Sequence, residues 1–235
     1  MGIEVTKNRN NYFLHDTELY PDFSEQWFDA DSWRRTAVVS DVELGRGGAV
    51  FIQSDKHALV LRHYNRGGQM ASLLGDRYCW LGLARTRAWR EWWLLKKMRE
   101  LELPVPAPVA ARVVRWGIVY RCDILLDKIT DSEPLSQKIL HSPLPRDVWF
   151  AIGQCIRRFH HLGVNHADLN AHNILLTEEN NVYIIDFDKG RFSRDGSWRE
   201  NNVMRLRRSL NKLLLQTNTK YTEDDWYAFM QGYSD

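Results

Sequence analysis

The chain has 235 residues, of which 44% are hydrophobic and 26% are charged, and its formal net charge is +2. These values are ordinary for a folded protein, and so small a net charge gives no reason to expect general nucleic-acid binding. Three widely separated cysteines, the lack of an apolar signal core and the lack of any apolar run of about 18 residues argue against a disulfide framework, a zinc site, export and a membrane span.

The N-terminal part of the sequence predicts an extension, residues 1–36, followed by an antiparallel sheet. In the extension, Ser24 precedes Glu25–Phe28 and indicates a short capped helix whose aromatic side chains pack on the part of the chain that follows. An aromatic patch that touches a membrane is the alternative. We expect the sheet to begin near Ala37. Strands at 42–44 and 49–52 flank a tight hairpin whose glycine N–H groups are open to a ligand: Gly45, Gly47 and Gly48.

An ion pair is predicted between the next strand, residues 58–62, and a helix over residues 85–101. Glu91 lies on the apolar face of that helix, and a carboxylate on an inward face needs a cationic partner. Arg62 at the end of the strand is the natural partner, although it also reads as an arginine that merely ends a strand. Arg66 lies between them in a basic, glycine-rich loop that suits either an anion or plain solvent exposure.

The middle of the chain predicts a hinge at residues 127–130. A proline-rich stretch, 104–108, ends the helix, and strands at 110–116 and 118–126 follow, joined at Gly117. We assign the hinge only from the order of the elements along the chain. It separates residues 1–126 from residues 127–235. The next clear helix opens at Pro145, ends at Gly163 and leads into a polar loop.

That polar loop, His166–Asn173, precedes two short apolar runs that are joined by a polar turn and predict a β-hairpin. Asp168 and Asn173 come before the first strand, and Asp186 comes at the exit of the second. Mg²⁺ takes one or two protein oxygens and completes its shell with phosphates and water, so a magnesium site is predicted here. One carboxylate is left to accept a proton. The alternative is structural: His166 and Asp168 cap a turn, and Asp186 ends a strand.

His-x-Asp-Leu-x-x-x-Asn followed by Ile-Asp-Phe-Asp resembles the catalytic loop and metal motif of protein-kinase-like enzymes. The resemblance implies an α+β, two-lobed fold, with an antiparallel-sheet N-lobe over 1–126 and a mostly helical, shortened C-lobe over 127–235. It implies Asp168 as the catalytic base, His166 as a support for its loop, and Asn173 and Asp186 as Mg²⁺ ligands. The other implied nucleotide contacts are the three glycines over the ATP phosphates, Arg62 with Glu91 at the phosphates, and Asp127 and Ile129 at the adenine.

Departures from the protein-kinase pattern narrow the range of possible acceptor molecules. Val50 stands at the third glycine and Arg62 at the usual lysine, so the nucleotide geometry differs in detail. Ala167 replaces the arginine that pairs with a phosphorylated activation loop, and Asp188 replaces a glycine. Residues 189–235 contain no Ala-Pro-Glu segment, so the platform for a peptide substrate is missing. A small molecule or a lipid head group is the expected acceptor.

Four motifs extend the resemblance over most of the chain: Leu61-Arg62-His63-Tyr64 with Arg66-Gly67-Gly68, residues 166–175, Ile185–Gly190, and Arg205–Leu210. In them the sequence resembles the bacterial 3-deoxy-D-manno-octulosonic acid (Kdo) kinases. The resemblance implies ATP and Mg²⁺ as cofactors, and the 4-OH of Kdo on lipid A-linked lipopolysaccharide core as acceptor. It also implies a peripheral protein at the cytoplasmic face of the bacterial inner membrane.

Cations beside the predicted metal site are the candidate acceptor contacts: Lys189, Arg191 and Arg66. For Arg205–Arg208, on a predicted helix, acceptor binding and a solvated basic face are equally good interpretations. Two rival functions stay open. One is a kinase-fold enzyme for a heptose, an aminoglycoside or choline. The other is a pseudokinase binding module, which Arg62 and Val50 favour and the intact Asp168, Asn173 and Asp186 oppose.

Overall fold

The computed structural model describes residues 2–35, 39–44, 49–65 and 75–235, with residues 30, 34–35 and 39–44 described by their backbone alone. The chain forms two compact units. The N-terminal unit comprises the residues up to Lys96 together with Pro106–Lys128, and the C-terminal unit comprises Lys97–Val105 and Ile129–Asp235. The architecture is mixed, with antiparallel sheets and six α-helices among the described residues.

The N-terminal unit is built on one antiparallel sheet. Its described strands are β1 (Ile3–Asn8), β2 (Asn11–Asp16), β3 (Val39–Leu44), β4 (Ala49–Ser54), β5 (Ala58–His63), β6 (Tyr78–Cys79), β7 (Pro108–Trp116) and β8 (Val119–Asp127). They are ordered β1-β2-β7-β8-β5-β4-β3, and β6 pairs with β8. Gly117, with φ +56°, turns the chain between β7 and β8 as predicted.

The sheet begins earlier than predicted. We expected its first strand near Ala37, but β1 and β2 form a hairpin within the predicted extension, and β2 pairs with β7. Two features hid this hairpin from the sequence. The last four residues of β2 are all buried, so apolar and polar positions do not alternate. The turn uses Arg9 at φ +53° rather than a glycine.

Two helices accompany this sheet: α1 (Ala30–Arg35) and α2 (Arg87–Glu100), of which α2 continues into the C-terminal unit after Lys96. Before α1, the predicted capped helix is a single 3-10 turn, Glu25–Phe28, and Ser24 Oγ accepts the Gln26 N–H at 3.4 Å. Phe28 is buried in the core cluster, and Phe23 and Trp27 pack against it. The packing role predicted for these aromatic side chains is confirmed.

A row of alternating charges joins three neighbouring strands. Arg112 on β7 and His63 on β5 both lie opposite Asp123 on β8. His63 Nδ1 lies 2.7 Å from Asp123 and its Nε2 lies 2.9 Å from Asp76, while Arg112 Nε donates to Asp123 at 2.9 Å. The hydrogen bond with Asp123 is the main cause that raises the pKa of His63. The protonated ring therefore bridges two carboxylates.

We expect the stability of the N-terminal unit to depend on pH through His63. Because the pKa of His63 is raised on folding, its contribution is fully present below the unfolded value of about 6.5 and disappears as pH rises through the folded pKa. His63→Gln should lower the free energy of unfolding by about 1 kcal/mol at pH 6 and by much less at pH 9. Urea unfolding at both pH values measures this, with His161→Gln at an exposed histidine as control. An equal loss at both pH values would contradict the assignment.

The C-terminal unit is mainly helical. Its helices are α3 (Leu135–His141), α4 (Arg146–His161), α5 (Trp198–Gln216) and α6 (Glu223–Ser234). Its short strands are β9 (Ser132–Pro134), β10 (Val164–Asn165), β11 (Ile174–Thr177), β12 (Val182–Ile184) and β13 (Arg191–Phe192). The predicted hairpin is β11–β12, which β9 extends to three strands, and β10 pairs with β13. Gly163, at φ +75°, ends the turn after α4, as predicted.

Helices α4 and α6 pack with their backbones in contact. A Cβ added to Gly153 would collide with the backbone of Phe229, and one added to Gly232 would collide with the backbone of Phe150. Only glycine fits at this crossing, because any side chain would push the helices apart. Helix α4 is thereby held in place immediately before β10 and the polar loop that follows it.

Candidate functional site

The loop His166–Asn173, here called the motif loop, is fixed at both ends to neighbouring helices. At its start, Asn165 Oδ1 accepts the Ala167 N–H at 2.9 Å and also bonds the side chain of Asn202 on α5 at 2.9 Å. Ala167 has φ +61°, so the chain turns sharply there. Near its end, the Ala171 carbonyl accepts the Ser136 N–H of α3 at 3.0 Å. The loop therefore has a defined shape before any ligand binds.

His166 is buried and connects the motif loop to the strand before Asp186. Its Nε2–H donates to the Ile185 carbonyl at 2.8 Å, and its Nδ1 accepts the Asp168 N–H at 3.2 Å. Burial is the main cause that lowers the pKa of His166 and so favours the neutral ring, while the two hydrogen bonds select this tautomer. The geometry provides the backbone contact near Asp186 that we predicted for His166, and its supporting role stays a prediction.

Asn173 and Asp186 lie at the same end of the β11–β12 hairpin. The register pairs Ile174 with Ile184, and the Asn173 carbonyl accepts the Ile185 N–H at 3.0 Å. Asn173 Nδ2 donates to the Asp168 carbonyl at 3.1 Å, so Oδ1 is the Asn173 side-chain atom that could ligate a cation. Asp186 has φ +65°, a left-handed conformation that is uncommon for residues other than glycine. Such conformations occur often at functional sites.

These donors fit Mg²⁺ better than a zinc-type site. An amide oxygen and a carboxylate oxygen are hard ligands, and Mg²⁺ usually takes only one or two carboxylates from the protein. Among the described residues, no group of three or more His, Cys, Asp or Glu side chains is arranged to hold a metal ion by itself. Asn173 and Asp186 could hold such an ion together with oxygens of a substrate, and their assignment as ligands stays a prediction.

The backbone of Asp168 is held by three hydrogen bonds. Besides the bond from its N–H to His166, its carbonyl accepts Asn170 Nδ2 at 2.8 Å and Asn173 Nδ2 at 3.1 Å. Its half-buried carboxylate forms an ion pair with Arg205 of α5. With its backbone fixed in this way, the carboxylate presents an acceptor oxygen in a defined direction, as a general base requires.

The sequence did not settle whether Arg205 lies at the site or on a solvated face of its helix. Arg205 follows Asn202 by three positions and precedes Ser209 by four, and Ser209 Oγ accepts the Ala171 N–H at 3.2 Å. These three side chains therefore share the face of α5 that contacts the motif loop. The spacing is a usable sequence signal, although only the fold shows which loop the face meets.

The predicted acceptor contacts lie partly inside and partly outside the described residues. Lys189 and Arg191 are both exposed, and Arg191 on β13 pairs with Asn165 at the start of the motif loop. Arg66 lies outside the described residues, as do the three glycines of the predicted phosphate loop: Gly45, Gly47 and Gly48. The assignments of all of these residues stay predictions.

The N-terminal unit contains the predicted ion pair between Arg62 of β5 and Glu91 of α2. Glu91 is only 1% exposed. The Tyr64 hydroxyl donates to the same carboxylate at 2.5 Å. Burial is the main cause that raises the pKa of Tyr64 well above its usual value. The guanidinium of Arg62 also lies over the Tyr64 ring, 5.0 Å from its centroid. Arg62 therefore does more than end a strand: it neutralises a buried carboxylate.

Removing Arg62 should destabilise the N-terminal unit. Arg62→Ala leaves Glu91 as a buried charge with Tyr64 as its remaining known donor, so we expect a loss of about 3 kcal/mol in the free energy of unfolding. Arg62→Lys keeps the charge and should recover part of the loss. Urea unfolding measures the free energy of unfolding of both variants. Arg90→Ala, which removes an exposed arginine next to Glu91 on α2, is the control. A loss below about 1 kcal/mol for Arg62→Ala, the size of a surface pair, would contradict a neutralising role.

The predicted hinge residues are partly engaged elsewhere. The Asp127 N–H donates to the Ala107 carbonyl at 2.9 Å, and its carboxylate accepts the Tyr20 hydroxyl at 2.6 Å. The Asp127 N–H therefore already has a backbone partner, and the assignment of Asp127 to the adenine stays a prediction. The Ile129 carbonyl accepts Ser132 Oγ at 2.7 Å. Its N–H stays a predicted adenine contact.

Comparison with known proteins extends the resemblance beyond the motifs. The model of the lipopolysaccharide kinase (Kdo/WaaP) family matches residues 30–233. The 3-deoxy-D-manno-octulosonic acid kinase of Vibrio parahaemolyticus is 38% identical over 232 residues, covering 99% of this chain and 98% of the relative. Kinases of the same name from Photobacterium profundum and Haemophilus influenzae are 38% and 36% identical, each covering 95% of this chain and 95% and 96% of their own lengths. The resemblance inferred from the sequence motifs is confirmed.

Proposed function

Because the chain belongs to the lipopolysaccharide kinase (Kdo/WaaP) family, we propose that it transfers a phosphoryl group from ATP to the 4-OH of Kdo on the lipid A-linked inner core of lipopolysaccharide. The observation that carries the proposal is the hydrogen-bonded arrangement of the motif loop with the strand that leads to Asp186. The family is kinase-like, and the assignment of residues 1–126 as N-lobe and 127–235 as C-lobe is part of the proposal.

Residues of the C-terminal unit have the main roles in this proposal. Asp168 accepts the proton of the sugar hydroxyl, while the bonds to His166, Asn170 and Asn173 keep its backbone in place. Asn173 and Asp186 hold Mg²⁺, which neutralises charge on the ATP phosphates when bound. In the N-terminal unit, Arg62, positioned by Glu91, contacts phosphate. Positioning and charge neutralisation supply most of the rate.

An acceptor assay tests the proposal against its rivals. Purified protein is incubated with ATP and Mg²⁺ and with Kdo-lipid A, a heptose, an aminoglycoside or choline, and phosphorylated product is identified by mass spectrometry. We expect product with Kdo-lipid A alone. Product with another acceptor would favour a different kinase-fold enzyme. ATP binding without product from any acceptor would favour a binding module.

Membrane association is the remaining part of the proposal. No helix in the described ranges has the length and apolar character to span a membrane. An exposed patch at the β7–β8 turn supports peripheral binding: Leu81, Trp116 and Ile118 are 67%, 45% and 84% exposed. The Trp80 N–H donates to the Ile118 carbonyl at 2.8 Å, which keeps the two segments side by side.

Two arginines flank this patch: Arg115 suits an anionic lipid surface, whereas Arg121 is already paired with Asp76 at 2.6 Å. The guanidinium of Arg115 lies 4.6 Å from the Trp80 ring centroid, and that of Arg121 lies 5.5 Å from the Trp116 ring centroid. Apolar side chains beside cations are typical of proteins that bind the interface of anionic bilayers.

Co-sedimentation with phosphatidylglycerol vesicles tests the membrane contact. We expect Ile118→Asp to reduce binding about tenfold, because the isoleucine no longer enters the apolar region. Leu215→Asp is the matched control, since Leu215 is 86% exposed and belongs to the C-terminal unit. Equal losses in the two variants would argue against the patch as the membrane contact.

A further inference from the structure

A cavity of about 340 Å³ lies within the C-terminal unit, between the motif loop and α5. Its wall includes Asn170 and His172 from the loop, and Arg205, Arg208 and Lys212 from the helix. No Asp or Glu lines the cavity among the described residues. Three cationic side chains therefore face a space whose volume is in the range of small-molecule sites.

The three cations project from one face of α5. Arg208 and Lys212 follow Arg205 by three and seven positions, which is the spacing of side chains on the same face of a helix. Their shared direction explains why all three line the same cavity rather than surrounding the helix.

Two other arginines of α5 are neutralised, whereas two of the cavity cations are not. Arg199 pairs with Asp195 at 2.5 Å, and Arg207 pairs with Glu223 at 3.0 Å. Within the described part of the chain, Arg208 and Lys212 form no ion pair with any carboxylate. Both side chains are exposed to solvent, so a solvated basic face and acceptor binding stay alternative interpretations of this helix. The positive charges of Arg208 and Lys212 therefore lie at the cavity without a neutralising carboxylate among the described residues.

The cavity is joined directly to the predicted base. Arg205 lines it and also forms the ion pair with the Asp168 carboxylate. Ser209, another wall residue, accepts the Ala171 N–H at 3.2 Å and so fixes α5 against the motif loop. A ligand group held by the cations would thus have a set position relative to Asp168.

We propose that this space, the acceptor-anion cavity, binds an anionic group of the acceptor and thereby places a neighbouring hydroxyl at Asp168. The inference rests on the proposed function and deepens it. The ligand chemistry is a carboxylate or a phosphate, since guanidinium groups bind both through paired N–H donors and Lys adds a point charge. Arg208 and Lys212 are the main anion contacts, and Arg205 connects the anion to the base.

A binding experiment tests the cavity without any turnover. Inorganic phosphate and free Kdo, a carboxylate sugar, are titrated separately into the full chain, and binding is followed by calorimetry. We expect Arg208→Gln and Lys212→Gln each to weaken binding about tenfold or more, the loss expected for one charge-assisted hydrogen bond. Lys220→Gln removes an exposed lysine outside the cavity and should change nothing. Equal binding by wild type and both cavity variants would overturn the inference.

A kinetic experiment assigns the anion to its source. With Kdo-lipid A, both variants should raise KM for the acceptor about tenfold and leave KM for ATP unchanged. The assay is repeated with acceptor from which the lipid A phosphates have been removed. A KM effect that persists identifies the sugar carboxylate as the anion, and one that disappears identifies a lipid phosphate; both support the cavity. Unchanged acceptor KM in both variants would overturn it.

The two experiments separate failure of the inference from failure of the proposed function. If no acceptor is phosphorylated but the cavity variants still lose phosphate binding, the anion site stands and the proposed reaction falls. If Kdo-lipid A is phosphorylated normally by both variants and they bind phosphate like the wild type, the reaction stands and the cavity is not its acceptor site.

Discussion

Asp168→Asn is expected to lower kcat at least about a hundredfold, the lower range for removal of a positioned general base. Asparagine keeps the size of the side chain and a hydrogen-bond acceptor for Arg205, but it cannot take a proton from the sugar hydroxyl. The backbone bonds of Asp168 to His166, Asn170 and Asn173 do not involve the carboxylate, so the loop should keep its shape. Asp168→Ala should show at least the same loss.

Initial-rate assays at saturating ATP and acceptor measure this effect. Asp195→Asn changes another carboxylate of the same unit that is paired with an arginine, and it should keep wild-type turnover. Nucleotide affinity and the midpoint of thermal unfolding should change little in Asp168→Asn. Turnover within threefold of the wild type would remove Asp168 from the role of base.

Asp186→Asn is expected to show the second large effect, a fall of about a thousandfold in metal-dependent transfer. A metal that stabilises transition-state charge contributes several kcal/mol, and each 1.36 kcal/mol corresponds to about tenfold in rate. Asparagine is the better substitution because Asp186 has φ +65°, a conformation that asparagine tolerates more readily than alanine. Alanine would add backbone strain to the loss of the ligand.

Titration of activity with MgCl₂ measures the metal dependence, and direct binding of Mn²⁺ in the presence of ATP gives a readout besides activity. We expect Asp186→Asn to need far more metal for half-maximal rate and to bind Mn²⁺ more weakly. Glu179→Gln, in the turn of the same hairpin, removes an exposed carboxylate and serves as control. An unchanged metal titration in Asp186→Asn would exclude Asp186 as a ligand.

The chemical core of the site could be predicted because it is nearly contiguous in the sequence. Asp168 and Asn173 belong to one loop, and a short hairpin with its own periodicity brings Asp186 back to the end where the loop finishes. Local patterns of this kind need no knowledge of the rest of the fold. The strand-to-helix pair of Arg62 and Glu91 was predictable for a related reason, because one inward carboxylate had one nearby cation to meet.

What the sequence did not settle depends on tertiary contacts. Arg205 is 37 residues from Asp168, and nothing in its surroundings shows which loop its helix will meet. Helix α6 was not predicted, although Thr222 caps it in a reciprocal pair of hydrogen bonds with Asp225. The usual capping box has Glu or Gln at the third helical position. Here that position is Asp225, so the motif was not recognised in the sequence. In the β1–β2 hairpin, β2 lacks alternation and the turn lacks a glycine.

The contact of Gly153 with the backbone of α6 has a practical meaning for anyone who shortens this polypeptide. The helix that would be cut away lies directly on α4, whose far end delivers the chain to β10 and the motif loop. Removing α6, or fusing a bulky domain directly to it, would disturb the packing of α4 and with it the position of the motif loop that contains Asp168. Affinity handles should therefore be separated from Asp235 by a long flexible spacer.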